Sequence, residues 1–300
     1  MSEIKLFRTN GKTATEIQGD AVALEKSLQL LIEGNLETFL GVRFLATEHT
    51  TGKSHAGRID TLGIDENHFP VIIEYKRATN ENVINQGLFY LDWLLDHRAD
   101  FKLLTLDRLG KEEADKIDWS SPRMICIAAD FTKYDLHAVQ QINRNIDLVR
   151  YRRFGDDLLA LELVHSVSLA AADSAEVKNK PKGGDKPVTQ ALEDLDPTVR
   201  DVYEAVRAFL LALGDDVTEK VTKLYVAFRR IKNFTTIVVQ RSALILYLKL
   251  DPEEVKPEPP FARDVRGKGH WGTGDFELNV ETMADFEKAK PFLQQAYAGS

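Results

Sequence analysis

Asp60, Glu74 and Lys76 lie in the stretch GRIDTLGIDENHFPVIIEYKR, residues 57–77, inside two runs whose other residues are those of β-strands. Two carboxylates and an ammonium among strand residues form a set that can do chemistry. If RIDTLGI and PVIIEYK pair antiparallel about DENHF, with Asn67 at the tip, Asp60 faces Glu74 and Arg58 faces Lys76. Directly opposed residues share a face with Cβ atoms roughly 4.5–5.5 Å apart, and Glu74 and Lys76, two apart, share it as well. Opposed like charges destabilise a sheet, so the acids need a reason. Lys76 and Arg58 could neutralise them in a half-exposed ion-pair ladder, which contributes little. Alternatively, the acids hold a divalent cation: Mg²⁺ is bound through one or two carboxylates, keeps several waters and meets a substrate phosphate. Such a cation polarises a phosphoryl oxygen and acidifies a bound water, and Lys76 would orient that water or stabilise developing negative charge. The chemistry implied is phosphodiester hydrolysis.

Helical segments must flank this hairpin. DAVALEKSLQLLIEGNLETFLG carries Leu24, Leu28, Leu31 and Ile32 at helical spacing. Glu25 falls on the face of Leu28, Gln29 and Ile32, where an isolated carboxylate is costly unless it reaches solvent. NENVINQGLFYLDWLLDH reads as a second helix, capped by Asn80, with an apolar stripe of Ile84, Leu88, Leu91 and Leu95. On it Gln86 and Tyr90, four apart, share one face, and either serve the site or merely pack. GVRFLATEHT and RMICIAADF read as further strands, YDLHAVQQIN as a helix, and two strand-like runs close the segment. The pattern predicts an α/β domain with a mixed sheet flanked by helices.

The string GRIDTLGID…PVIIEYKR…NQGLFYL resembles the PD-(D/E)xK nuclease superfamily, and within it the NucS-type endonuclease domain, over roughly residues 20–100. The resemblance implies a restriction-endonuclease-like fold and Mg²⁺- or Mn²⁺-dependent cleavage of DNA. It makes Asp60 and Glu74 metal ligands, with the Tyr75 carbonyl as a further one, and puts Lys76 at the nucleophile. Glu25, ahead of Glu33, matches the family's helix-borne acid, and Gln86 and Tyr90 match the Gln and Tyr that follow the catalytic Lys. Arg58, Arg77 and Tyr90 are then the residues expected at the nucleic acid. The residues before Asp20 leave no room for the separate N-terminal binding and dimerisation domain of NucS-type enzymes, so mismatch specificity does not carry over.

Composition bounds the alternatives. The 300 residues suit two domains, and 43 % apolar with 29 % charged residues describes a globular chain rather than a disordered one. A net charge of −8 argues against a broad polycationic binder, leaving local patches such as RNIDLVRYRR and FRRIK. Cys126, the one cysteine, excludes an intramolecular disulfide and a cysteine-rich zinc module, and predicts a reducing cytoplasm. No signal pattern begins the chain, and the longest apolar runs fall short of the ~20 residues that span a bilayer. AADSAEVKNKPKGGDKPVTQ is too poor in large apolar residues to fold and predicts a linker over 167–190, between a domain at 1–166 and a smaller one at 191–300.

The second domain reads as α+β: a helix through Val199, Val202, Val206, Phe209 and Leu210, strands FTTIVVQ, ALILYLKL and DFELNV, and a final helix from Thr282. It resembles a bacterial domain that has carried the label "predicted transport protein". Gly267, Gly269 and Gly272 spell G-x-G-x-x-G, but no strand leads in and a strand rather than a helix follows, so a dinucleotide site is rejected. Either the loop is a tight turn on which Trp271 packs, or Tyr225, Arg229, Lys232, His270 and Trp271 combine stacking and phosphate contacts to a nucleic acid or nucleotide. The expectation for the whole chain is a metal-dependent endonuclease acting on DNA. RNA and a homodimer stay open, and a catalytically silent nucleic-acid-binding or assembly module is the rival.

Overall fold

The structure, a computed structural model, describes residues 4–20, 25–52, 57–76, 83–155, 157–167, 186–256, 258 and 260–300. The chain forms two compact units, Met1–Leu169 and Ala170–Ser300. Arg77 and Asn80 lie outside the described residues, as does most of the expected linker. The described end of that linker is helical from Val188.

In the first unit, β1 (Leu6–Thr9) and β2 (Ala14–Ile17) form a small antiparallel hairpin, followed by β3 (Gly19–Asp20). Two short helices come next, α1 (Glu25–Glu33) and α2 (Leu36–Leu40), ended by Gly41 in the left-handed region at φ 63°. Strands β4 (Val42–Thr50), β5 (Arg58–Asp65) and β6 (Pro70–Lys76) make an antiparallel meander. Helices α3 (Val83–Asp96), α4 (Arg98–Leu109) and α5 (Lys111–Lys116) then carry the chain to β7 (Arg123–Ala128), parallel to β6. α6 (Lys133–Gln140), closed by a Thr132–Asp135 capping box, leads to β8 (Asn145–Phe154), parallel to β7. β9 (Leu158–Val167) returns antiparallel along β8, and β3 pairs with its last two residues. The result is a mixed sheet flanked by helices.

The register of the β5–β6 hairpin matches the sequence expectation, with Thr61 opposite Ile73 and Leu62 opposite Ile72. Alternation then sorts the faces. Leu62, Ile64 and Ile72 bury against Tyr90, Leu91 and Leu94 of α3. Thr61, on the other face, meets Glu33 of α1. α1 and α3 therefore sandwich the hairpin. α3 approaches the sheet closely because Gly87 lacks a Cβ, which would sit 2.2 Å from the Met124 sulfur of β7. At the hairpin tip Asp65 Oδ1 accepts from the Asn67 and Phe69 amides, and Arg123 joins buried Asp65 and Asp147 from β7.

The second unit opens with α7 (Val188–Glu193) and α8 (Pro197–Leu211), then β10 (Thr218–Val221), β11 (Val226–Arg229), β12 (Asn233–Gln240) and β13 (Ala243–Leu248). After α9 (Pro252–Val255), β14 (Ala262–Asp264) and β15 (Phe276–Val280) complete an antiparallel sheet of order β10-β11-β12-β13-β15-β14. α10 (Met283–Ala298) and α8 cover one face, burying Val206, Leu210, Phe286 and Leu293 on Phe234, Leu246 and Phe276. No described helix of the chain is long and apolar enough to cross a membrane.

Candidate functional site

The hairpin ladder runs regularly from Ile64–Pro70 to Thr61–Ile73 and stops there. At the next position side chains replace the backbone pairing: the Asp60 amide donates to Glu74 Oε1 at 3.2 Å, and the Tyr75 amide donates to Asp60 Oδ2 at 3.0 Å. Asp60 and Glu74 are thus brought together, each carboxylate holding the other strand's backbone. Gln86 of α3 fixes the second oxygen of Glu74, its Nε2 donating to Oε2 at 2.9 Å. Glu74 is wholly buried, whereas Asp60 and Lys76 are half-buried. Access to the pair is therefore from the Asp60 and Lys76 side.

Burial and then the neighbouring Asp60 charge push the Glu74 carboxyl up to about 9, with Lys76 opposing. A carboxyl in that range keeps its proton at neutral pH, and the Asp60 side chain is a hydrogen-bond partner in that state. Burial thus favours the protonated form of the Glu74 carboxyl beside Asp60, where a bound cation would favour the ionised one. Lys76 shares the face of Glu74 two residues on and pairs with Ala128 in the sheet.

Below the sheet a second layer holds β5 in place. Gln29, buried on α1, donates from Nε2 to the Asp60 carbonyl at 2.9 Å, to Glu33 at 3.0 Å and to Thr47 at 3.2 Å. Thr61 donates to Glu33 at 2.6 Å, and its oxygen lies 3.3 Å from the buried Tyr75 hydroxyl. Glu33, ranked behind Glu25 from sequence, is engaged on this face rather than with Glu74. Glu25 begins α1, one helical turn before Gln29. The sequence marks Gln29 only as an amide between Leu28 and Ile32 on the face that also carries Glu25.

Tyr90, expected at the nucleic acid, is only 7 % exposed, and its hydroxyl accepts from the Arg58 amide at 3.2 Å, which anchors the start of β5. Gly57 makes this possible, since a Cβ there would lie 2.6 Å from the Tyr90 ring. Arg58, expected opposite Lys76, turns its exposed guanidinium to Glu48 at 3.1 Å. Among the described residues no group of three or more His, Cys, Asp or Glu side chains could hold a metal, so Asp60 and Glu74 stand as a pair. An open groove of about 590 Å³ lies elsewhere, between Asn85, Phe89 and Asp92 of α3 and the turn at Asn143 and Arg144.

In the second unit part of the expected binding set shares one face of the sheet, since the register aligns Ala227, between Tyr225 and Arg229, with Thr236 and Tyr247. Tyr225 and Arg229 are buried at opposite ends of β11, and Lys232 lies in the turn to β12. His270 stacks on Tyr247 of β13 with ring centroids 4.1 Å apart, while Trp271 is 47 % exposed rather than packed. The glycine-rich loop is a tight crossing of the sheet: Gly274, at φ 130°, leaves no room for a Cβ, which would stand 2.5 Å from the Leu248 carbonyl.

Residues 188–300, essentially the second unit, match the family described as Domain of unknown function (DUF5655). An uncharacterized protein of Haemophilus influenzae (strain Rd) is 28 % identical over 304 residues, covering 98 % of this chain and 99 % of that one. Two solved structures are similar to part of the chain. One is an EndoMS–double-stranded DNA complex, at 22 % identity and a TM-score of 0.29, with 43 % of this chain and 46 % of that chain covered. The other is a repair endonuclease from Pyrococcus abyssi, at 18 % identity and a TM-score of 0.29, covering 44 % and 48 %. The chain spans about half the length of each of these two proteins.

Proposed function

We propose that the first unit hydrolyses phosphodiester bonds of DNA, using a divalent cation, Mg²⁺ or Mn²⁺, seated by Asp60 and Glu74. The observation that carries this reading is the meeting of the two carboxylates where the hairpin ladder opens, one of them wholly buried. The residues fit such an ion. Two carboxyl groups confined together, one of them wholly buried, form a donor set that a hard dication satisfies, and a two-carboxylate set suits an ion that keeps waters and takes a phosphate oxygen. The Tyr75 carbonyl is the further oxygen proposed.

When bound, the cation would supply a polarised phosphoryl oxygen and an acidified water. The chain supplies the rest. Gln86 holds Glu74 in one rotamer through its Oε2, and the Tyr75 amide does the same for Asp60. Gln29 fixes the Asp60 backbone from the opposite face. Lys76 brings a positive charge to the face of Glu74, where it stabilises negative charge gathering on the phosphorane oxygens.

The test is incubation of the full chain with supercoiled, linear and single-stranded DNA and with RNA, in Mg²⁺, Mn²⁺ or chelator. The expected result is metal-dependent cutting of DNA that falls by at least about 100-fold in Glu74→Gln and Lys76→Ala. Binding without cutting, indifferent to both substitutions, would instead assign a silent binding module.

A further inference from the structure

Glu48 is in a conformation that a mid-strand glutamate rarely takes. Its φ is 49°, in the left-handed region that disfavours any residue with a Cβ. The β4–β5 register pairs Thr47 with Thr61 and His49 with Ile59, which sets Glu48 across from Asp60. The distortion therefore sits one strand away from the carboxylate pair. Backbone strain of this kind persists where surrounding contacts impose it, and it concentrates at sites of function.

The Glu48 side chain meets a pair of cations. Lys26 Nζ of α1 lies 2.9 Å from Glu48 Oε1, and Arg58 Nε of β5 lies 3.1 Å from Oε2. Lys26 Nζ also stands 3.4 Å from Gln29 Oε1, and the same amide donates to the Asp60 carbonyl. The hydrogen bond from Lys26, with both cations' charges, holds the Glu48 carboxyl below its ordinary range. Lys26 and Arg58 are 54 % and 65 % exposed, so as mere ion pairs they would contribute little to stability and would not repay a strained strand. Two cations from different elements, each gripping one oxygen of a single anion, are what a phosphodiester needs, and a phosphate in place of the Glu48 carboxylate would meet the same two charges.

We infer that Lys26 and Arg58 form a clamp for a backbone phosphate of the nucleic acid beside the Asp60–Glu74 pair, with the Glu48 carboxylate occupying the phosphate's place until substrate displaces it. The clamp rests on the hydrolytic reading of Asp60 and Glu74 and names how the substrate is held there. It positions the strand and reads no sequence, because its contacts are to phosphate alone.

The clamp is tested by fluorescence anisotropy of the full chain with a fluorescein-labelled DNA duplex, in chelator, across a series of salt concentrations. Lys26→Ala and Arg58→Ala should each weaken binding about fivefold at low salt and lower the salt slope by about one. Glu48→Gln, which removes the competing charge, should tighten binding by a similar factor. Unchanged affinity and slope in both cation variants, no tightening in Glu48→Gln, or no binding by the wild-type chain would each overturn the clamp. Turnover is judged separately, by metal-dependent cutting in wild type against Glu74→Gln. A chain that cuts while its cation variants bind normally loses only the clamp, and one that binds as described without cutting loses only the hydrolytic reading.

Discussion

Replacing Glu74 by Gln should flatten the pH dependence of the first unit's stability. Folding raises this carboxyl from its ordinary 4.5 to about 9. Between those values the folded chain keeps a proton that the unfolded chain has released, so stability falls as pH rises. The contribution is fully present below about pH 4.5 and gone above about pH 9, at roughly 1.4 kcal/mol per pH unit in between. From pH 5 to pH 8 that is at most about 4 kcal/mol, and about 2–4 kcal/mol once relaxation around the pair is allowed. Glutamine keeps the shape, retains an acceptor for Gln86 or the Asp60 amide, and carries no ionisable proton. The variant should match wild type within about 1 kcal/mol at pH 5 and exceed it by about 2–4 kcal/mol at pH 8. Urea unfolding in chelator, followed through the buried Trp93, measures the difference, and carboxylates elsewhere cancel between the two proteins. Parallel pH profiles for the two would refute the assignment of a proton to the Asp60–Glu74 pair.

Three further outcomes follow from other contacts. Arg123→Met should cost about 3–5 kcal/mol in urea unfolding, since it strips the buried Asp65 and Asp147 of their guanidinium at the hairpin tip. Burial acts to raise the Glu113 carboxyl, but hydrogen bonds from Arg43 and Lys116 prevail and bring it down to about 2. Glu113→Gln should therefore cost about 1–3 kcal/mol at neutral pH, a loss that shrinks as pH falls below about 4.5 toward 2, as acid unfolding curves would show. Gly57→Ala should cost about 1–3 kcal/mol and displace the Tyr90 ring, visible as faster hydrogen exchange at the Arg58 amide.

Much of this architecture is legible before any coordinates. Alternation in RIDTLGI and PVIIEYK, with turn-forming residues between them, fixes the hairpin register that places Asp60 by Glu74. Helical spacing likewise sets Gln86 on the face of α3 that looks down on the sheet. Other features depend on contacts that no local pattern encodes. The antiparallel ladder ends at Thr61–Ile73 because the Asp60 carboxylate outcompetes a backbone carbonyl for the Tyr75 amide. GVRFLATEHT reads as a strand, yet it contains a register shift between Phe44 and Ala46 and a left-handed glutamate. α4 and α5 were missed because they bury little, essentially Phe101, Thr105 and Ala114, under a charged surface. Tyr225 and Arg229 lie at the two ends of YVAFR, the lead-in and whole length of a buried strand, and their burial is not encoded in that local pattern. That the Tyr90 hydroxyl reaches the Arg58 amide depends on the space left by Gly57, which no helical spacing encodes.

The claim on which the functional reading rests is that Asp60 and Glu74 together seat one divalent cation. Electron paramagnetic resonance titration of the full chain with Mn²⁺ measures this without any substrate. The account predicts a saturable site, one per chain, that competes with Mg²⁺ and is lost in both Asp60→Asn and Glu74→Gln. Mn²⁺ binding of equal stoichiometry and affinity in those two variants, or no saturable binding in wild type, would contradict it.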